Sequence, residues 1–182
     1  EITLQLAITD PQGRPSEPYV LEFINQVKTL SKGSITIEPI WDAGAETFAG
    51  FEQGVIQLVM RGKADIGLAA ARTFDTESVS SFEALQAPFL IDNDALAEAI
   101  ASSDIATRML ESLSSAGVVG LALWPEDLRH PFAIPPQKPL LSPEDFAGLN
   151  IRATSSGVTY NLIDTLGAFP MFDDSGYEGA ES

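Results

Sequence analysis

The first 70 residues alternate between two hydrophobic periods, and this alternation constrains the fold more than any other feature. Residues 2–9 and 35–41 carry apolar side chains at strand-like spacing, and a helix that Ser16 caps lies between them. The pattern repeats with a helical face over 51–61 and a short strand over 64–69. In a compact chain the order strand, helix, strand favours right-handed crossovers and parallel pairing. The sequence therefore predicts an α/β fold with mainly parallel sheets flanked by helices.

The middle of the chain continues this pattern less regularly. We predict a short helix over 81–86 and one long helix that Asp94 caps. The inward face of the long helix carries five apolar residues: Leu96, Ile100, Ile105, Met109 and Leu113. Residues 118–123 are almost entirely apolar, which is typical of a strand covered on both faces.

Prolines then crowd one stretch of the chain. Five of them lie between Pro131 and Pro143, which predicts a stiff, extended crossing. We place a lobe boundary at its start, with residues 1–124 as the first lobe and 125–182 as the crossing segment and the first part of a second lobe.

Composition and charge exclude several functions. With 182 residues, 45% of them hydrophobic, the chain can bury a real core. A net charge of -16 argues against binding nucleic acid or an anionic membrane surface. The absence of cysteine excludes disulfides, a thiolate nucleophile and zinc-thiolate sites. No apolar run is long enough to span a bilayer, and a start at Glu1 without a leader is typical of a mature or trimmed product.

One arginine stands out in the second half of the chain. Residues 148–153 predict a short strand, on which Leu149 and Ile151 face one way and Asn150 and Arg152 the other. The Arg152 guanidinium therefore need not enter the core. A structural alternative is that Arg152 pairs with a neighbouring aspartate.

A helix start follows this strand directly. Ser155, Ser156 and Gly157 offer a capping side chain and backbone N–H groups at the predicted helix N-terminus. Together with the planar guanidinium fork of Arg152, these groups make an anion site that suits a carboxylate. At physiological salt, exposed charges are screened beyond about 8 Å, so a few inward-facing arginines can set the local potential despite the acidic exterior.

A second candidate region lies beyond the predicted strand over 64–69. Arg72 and Phe74 follow the carboxyl end of that strand, which is the edge where open parallel sheets bind ligands. The alternative for Arg72 is a structural pair with the nearby Asp75. For Phe74 the alternative is a place in the core, as for most aromatic residues.

Five stretches of the chain form a specific combination by their order and spacing: FINQVKTLSKGSITIEPIW (23–41), RGKADIG (61–67), SFEALQAPFL (81–90), FAGLNIR (146–152) and LGAFP (166–170). Taken together, they resemble the solute receptors of tripartite ATP-independent periplasmic (TRAP) transporters of the dicarboxylate-receptor type. The resemblance implies a two-lobed, periplasmic-binding-protein-like receptor that closes around a small organic acid. It also implies a location outside the cytoplasmic membrane and membrane permease subunits as partners.

The resemblance also implies roles for particular residues. Arg152 matches the arginine that grips the ligand carboxylate in the family, and Arg129 matches a second ligand-facing arginine more loosely. Arg72 and Phe74 fall in the loop that lines the cleft of similar proteins. Family members continue well beyond the position of Ser182, so the second lobe is expected to be incomplete in this chain.

Other functions remain as alternatives. A receptor that reports to a signalling partner would have the same binding site. An enzyme is less favoured, because the only histidine, His130, lies between Arg129 and Pro131, and neither a nucleophile elbow nor a phosphate loop is present. Paired carboxylates such as Asp173 with Asp174 or Glu126 with Asp127 could do acid-base chemistry but are more typical of solvated turns. A calcium ion held by oxygen ligands near Asp173 is also less favoured. We expect neither a cofactor nor a metal.

Overall fold

The computed structural model describes residues 1–44, 51–134 and 138–172. By internal contacts the chain forms two units, Glu1–Ala70 and Ala71–Ser182, and each is described by itself. The lobe boundary expected near residue 124 remains a prediction.

The first unit is a three-stranded parallel sheet with a helix after each of its first two strands. Its elements are β1 (Ile2–Ile8), α1 (Glu17–Leu30), β2 (Ile35–Ile40), α2 (Phe51–Met60) and β3 (Ile66–Leu68). The strand order is β2-β1-β3, and both pairs are parallel. The alternating pattern of the sequence is therefore confirmed as two successive strand-helix-strand units.

The core of this unit follows from the two-residue period of β1. Leu6 and Ile8 pack with Val20 of α1 on one face, whereas Ala7 packs with Val55 of α2 on the other. The two helices therefore cover opposite faces of the central strand. All five side chains are at most 3% exposed, so β1 is buried on both sides.

A glycine of β3 sets how closely α2 can approach. A Cβ added to Gly67 would lie 3.0 Å from side-chain carbons of both Val55 and Val59. Because real Cβ contacts are almost never that short, the absence of a side chain at Gly67 allows the close packing of α2 on the strand.

The second unit begins with helical segments and ends with a second parallel pair. Its α-helices and strands are α3 (Asp94–Ala101), α4 (Asp104–Glu111), β4 (Asn150–Ala153), α5 (Gly157–Thr165) and β5 (Phe169–Phe172). Four 3₁₀ helices cover Ala71–Asp75, Ser80–Gln86, Ser112–Ala116 and Pro143–Phe146. We call the first two the first and second 3₁₀ helices. Strands β4 and β5 pair in parallel.

The predicted long helix from Asp94 to Leu113 is wrong, because it is broken into α3 and α4. The Ser103 hydroxyl accepts a hydrogen bond from the Ile105 N–H at 3.2 Å and so caps a new helix. Asn93, and not Asp94, caps α3, by accepting from the Leu96 N–H at 2.9 Å. A serine side chain that competes for backbone N–H groups favours a cap over a helix interior.

The predicted buried strand over 118–123 is also wrong. Within the described ranges the segment forms no strand, and no neighbouring strand pairs with it. Val118 and Leu123 pack against a core cluster of their unit, whereas Val119 is 83% exposed and Leu121 is 70% exposed. The segment is therefore only partly buried.

None of the helices described in 1–44, 51–134 and 138–172 combines the length and the apolar character that crossing a bilayer requires.

Candidate functional site

The parallel pair β4 and β5 fixes the direction of Arg152. Ala153 packs with Ile163 of α5 in a small core cluster, and Ile151 lies against the same cluster. Because side chains alternate along a strand, Asn150 and Arg152 lie on the opposite face of β4, and both are exposed. The predicted direction of the Arg152 side chain is thus confirmed.

The face that carries Arg152 also carries apolar side chains from β5. Arg152 is paired in register with Met171, and Asn150 with Phe169. Phe169 is 60% exposed and Met171 is 51% exposed. This face therefore combines a guanidinium and an amide with two large apolar groups, a mixture that suits a ligand having an acidic group and a less polar surface.

The N-terminus of α5 is capped as expected, but its anion position is filled from within the chain. The Ser156 hydroxyl accepts from the Thr159 N–H at 3.3 Å, which confirms the predicted cap. The Asp75 Oδ2 atom accepts from the Ser156 hydroxyl at 2.7 Å and from the Gly157 N–H at 2.9 Å. The prediction that this helix start offers the Gly157 N–H to a ligand carboxylate is therefore wrong, because that group already binds Asp75.

Gln86 completes this cluster. Its Oε1 atom lies 2.9 Å from the Ser156 Oγ atom, while its Nε2 atom is buried with no hydrogen-bond partner in the described part of the chain. A hydroxyl has one proton, which the charged Asp75 oxygen at 2.7 Å attracts more strongly than an amide oxygen does. Turning the Gln86 amide by 180° about its terminal bond allows Nε2 to donate to Ser156 Oγ, so that the hydroxyl proton goes to Asp75 alone.

We call this set of residues the Asp75 clamp: Asp75, Gln86, Ser156 and Gly157. It joins the first and second 3₁₀ helices to α5, although 81 residues separate Asp75 from Ser156. Sequence reasoning missed it because it treated Asp75 only as a possible partner of Arg72. No local signal identifies a contact over so long a stretch of chain.

Arg72 and Phe74, the other predicted cleft residues of the first 3₁₀ helix, are both half-buried. The Phe74 ring lies 5.6 Å from the Phe82 ring, and Phe82 is 1% exposed. Phe74 therefore takes part in the core, as its structural alternative proposed. The Nε atom of Arg72 is buried. The clamp brings the helix that carries both residues to the start of α5.

Arg129 lies elsewhere in the second unit. It is exposed, as are Glu126, Asp127 and His130 beside it. Ser155 is half-buried and directly precedes the clamp residue Ser156, which is 3% exposed. No ligand is present to test any of these residues, so the roles expected for Arg152, Arg129, Arg72, Phe74, Ser155 and Ser156 in binding remain predictions.

Asp173 and Asp174 lie outside the described residues. Within the described ranges, no group of three or more histidine and carboxylate side chains is arranged to hold a metal ion.

The fold is that of periplasmic solute receptors. The structure matches a TRAP periplasmic solute-binding protein from Xanthobacter autotrophicus Py2, solved with β-D-galacturonate, at a TM-score of 0.80 and 22% identity, over 98% of this chain and 58% of that one. It matches another from Citrobacter koseri, solved with D-glucuronate, at a TM-score of 0.78 and 18% identity, over 97% and 57%. The expected α/β receptor fold is therefore confirmed.

Residues 6–171 match the sequence model of the DctP family, described as bacterial extracellular solute-binding protein, family 7. The chain belongs to this family, which confirms the resemblance.

Two curated relatives are consistent with this membership. The uncharacterized protein y4mM of Sinorhizobium fredii is 26% identical over 91% of this chain and 29% of its own length. The C4-dicarboxylate-binding periplasmic protein DctP of Rhodobacter capsulatus is 29% identical over 54% of this chain and 28% of its own length. The chain thus spans less than a third of these relatives and rather more than half of the solved receptors.

Proposed function

We propose that this chain acts outside the cytoplasmic membrane as a receptor, or as part of one, that captures a small organic acid by its carboxylate for a TRAP-type transporter. In this proposal the receptor delivers the acid to membrane permease subunits and does not alter it chemically. Membership of the DctP family and the fold shared with TRAP receptors support the proposal.

The observation that carries the proposal is the placement of Arg152. The side chain is exposed on the face of β4 turned away from the core, at the end of the strand that precedes α5. A guanidinium presents a planar fork of N–H donors that matches a carboxylate with two parallel hydrogen bonds. Arg152 is therefore the residue we assign to the acid group of the ligand.

The other contacts follow from the elements near Arg152. We propose that Ser155, Arg72 and Phe74 also line the ligand site beside Arg152. We propose that Arg129 supplies a second positive charge to the ligand. For Ser156 we propose an indirect part, because its hydroxyl already serves the Asp75 clamp and the helix cap.

The ligands of the solved relatives indicate a chemical class. They include galacturonate, D-glucuronate, D-erythronate and galactonate, each of which carries a carboxylate and several hydroxyl groups. We propose a small hydroxy acid of this kind for the present chain, with a C4 dicarboxylate as the alternative that the Rhodobacter capsulatus relative suggests.

Calorimetric titration of the purified chain tests this proposal. D-Galacturonate, D-glucuronate, D-erythronate and succinate are compared with D-galactose, which has nearly the shape of galacturonate but no carboxylate. We expect at least one acid to bind with a micromolar or lower Kd, corresponding to about -8 kcal/mol, and D-galactose to give no heat of binding. Equal binding of the sugar and its acid would contradict capture by the carboxylate, and chemical conversion of a bound acid would indicate an enzyme instead.

A further inference from the structure

We infer that Asp75 is a positioning residue for the ligand site: its carboxylate binds the start of α5 and thereby holds the first 3₁₀ helix beside the Arg152 strand. This inference rests on the proposed function, because it concerns the arrangement of the residues assigned to the ligand. Asp75 itself does not contact the ligand in this account.

The hydrogen bonds of the clamp are concentrated on one oxygen atom. Asp75 Oδ2 accepts from the Ser156 hydroxyl at 2.7 Å and from the Gly157 N–H at 2.9 Å, and the Val158 N–H lies 3.5 Å away. An ionised carboxylate suits this place, because the first N–H groups of a helix have no partners within the helix and lie at the positive end of its dipole. The contact therefore joins two elements that are far apart in sequence.

Burial makes the clamp costly to break. Ser156 is 3% exposed, and the second oxygen of Asp75 is itself buried. If the carboxylate is removed, the buried Ser156 hydroxyl loses its acceptor at 2.7 Å and the Gly157 N–H loses its side-chain partner. Apolar contacts of residues such as Phe74 would remain, but the link from the first 3₁₀ helix to the start of α5 through Asp75 would be lost.

The clamp joins the two stretches of chain that carry the proposed ligand residues. On one side, Arg72 and Phe74 precede Asp75 by three residues and one residue on the same short helix. On the other side, Ser155 is adjacent to Ser156, and Arg152 lies four residues before it at the end of β4. A shift at the Asp75 contact would therefore change the distance between these groups, and ligand affinity depends on such pre-arrangement.

The test compares Asp75→Ala and Asp75→Asn with Glu83→Ala, which removes an equal charge from an exposed position of the second 3₁₀ helix. The probe is D-galacturonate, or whichever acid of the panel the wild type binds. We expect Asp75→Ala to raise the Kd at least tenfold and Glu83→Ala to change it less than twofold. Asp75→Asn keeps one acceptor oxygen, so it should recover most of the affinity.

Hydrogen exchange of the unliganded protein provides the second readout. We expect faster exchange in Asp75→Ala at residues 71–75 and 156–158, with little change in the first unit. If Asp75→Ala does not fold, Ser156→Ala is measured instead, and it should weaken binding, because it removes the hydroxyl that donates to Asp75. Affinity like that of the wild type in variants that break the clamp would overturn the inference.

The two proposals fail in different ways. If the wild type binds none of the acids, the proposed function fails. Hydrogen exchange at residues 71–75 in Asp75→Ala then tests by itself whether Asp75 holds the first 3₁₀ helix in place. If the wild type binds an acid and the clamp variants lose only thermal stability, Asp75 is a structural residue without a positioning role.

Discussion

At the scale of single residues, the direction of a side chain follows from strand periodicity, but its partner does not. The alternation around Arg152 predicts that the guanidinium points away from the core, and the structure confirms it. The partner of the α5 N-terminus is Asp75, which lies more than 80 residues earlier in the chain. The sequence indicates that an anion suits the helix start, yet it does not indicate whether that anion is a ligand or a side chain.

Asp145 provides a test of local electrostatics. Its carboxylate accepts from the N–H groups of Leu141 and Ser142 at 2.9 and 2.7 Å, and these two bonds lower its pKa below the ordinary 3.8. A lowered pKa in the folded state means that the stabilisation is present above pH 3.8 and is lost as the pH falls through the lower, folded value.

We therefore expect the Asp145 carboxyl to titrate below pH 3.8 in an NMR experiment, with the amide signals of Leu141 and Ser142 shifting at the same midpoint. In Asp145→Asn these amide shifts should no longer depend on pH in this range. A midpoint at or above the ordinary value would show that the two backbone hydrogen bonds do not form in solution.

At the scale of elements, the sequence predicts regular segments well and their neighbours poorly. The strand-helix-strand pattern of the first unit is confirmed, because its longer elements repeat their period several times. The apolar run over 118–123 predicts a buried strand but forms no strand in the described part of the chain and is only partly covered, since burial on both faces requires neighbours that the run itself does not specify. The break at Ser103 was missed because apolar periodicity continues across it.

A pair of alanine substitutions tests the uneven burial of this region. Leu113 is 4% exposed, whereas Val119 is 83% exposed. We expect Leu113→Ala to lower the free energy of unfolding by about 2 to 5 kcal/mol, because it leaves a cavity. For Val119→Ala we expect a change of about 0.5 kcal/mol or less, because little buried surface is lost.

Urea denaturation monitored by tryptophan fluorescence and by circular dichroism measures both changes. Similar losses for the two variants would mean that Val119 is covered in solution, and the description of Val119 as exposed would then be incorrect.

At the scale of the whole molecule, the protein and its proposed ligand carry net charge of the same sign. The net charge is -16, yet the proposed ligand is an anion. Exposed charges are screened beyond about 8 Å at physiological salt, so the Arg152 guanidinium can dominate the potential that a bound carboxylate experiences. Net charge therefore does not exclude an acid receptor, although it does disfavour nucleic acid as a partner.

The central claim is that Arg152 binds the carboxylate of the ligand. Arg152→Lys keeps the positive charge and removes the planar fork, while Arg108→Lys makes the same change at another exposed arginine, on α4. The most direct test is calorimetric titration of both variants at 150 mM salt, an ionic strength at which distant charges are screened, with an acid that the wild type binds. We predict a loss of about tenfold or more for Arg152→Lys and no change for Arg108→Lys, whereas wild-type affinity in Arg152→Lys would contradict the account.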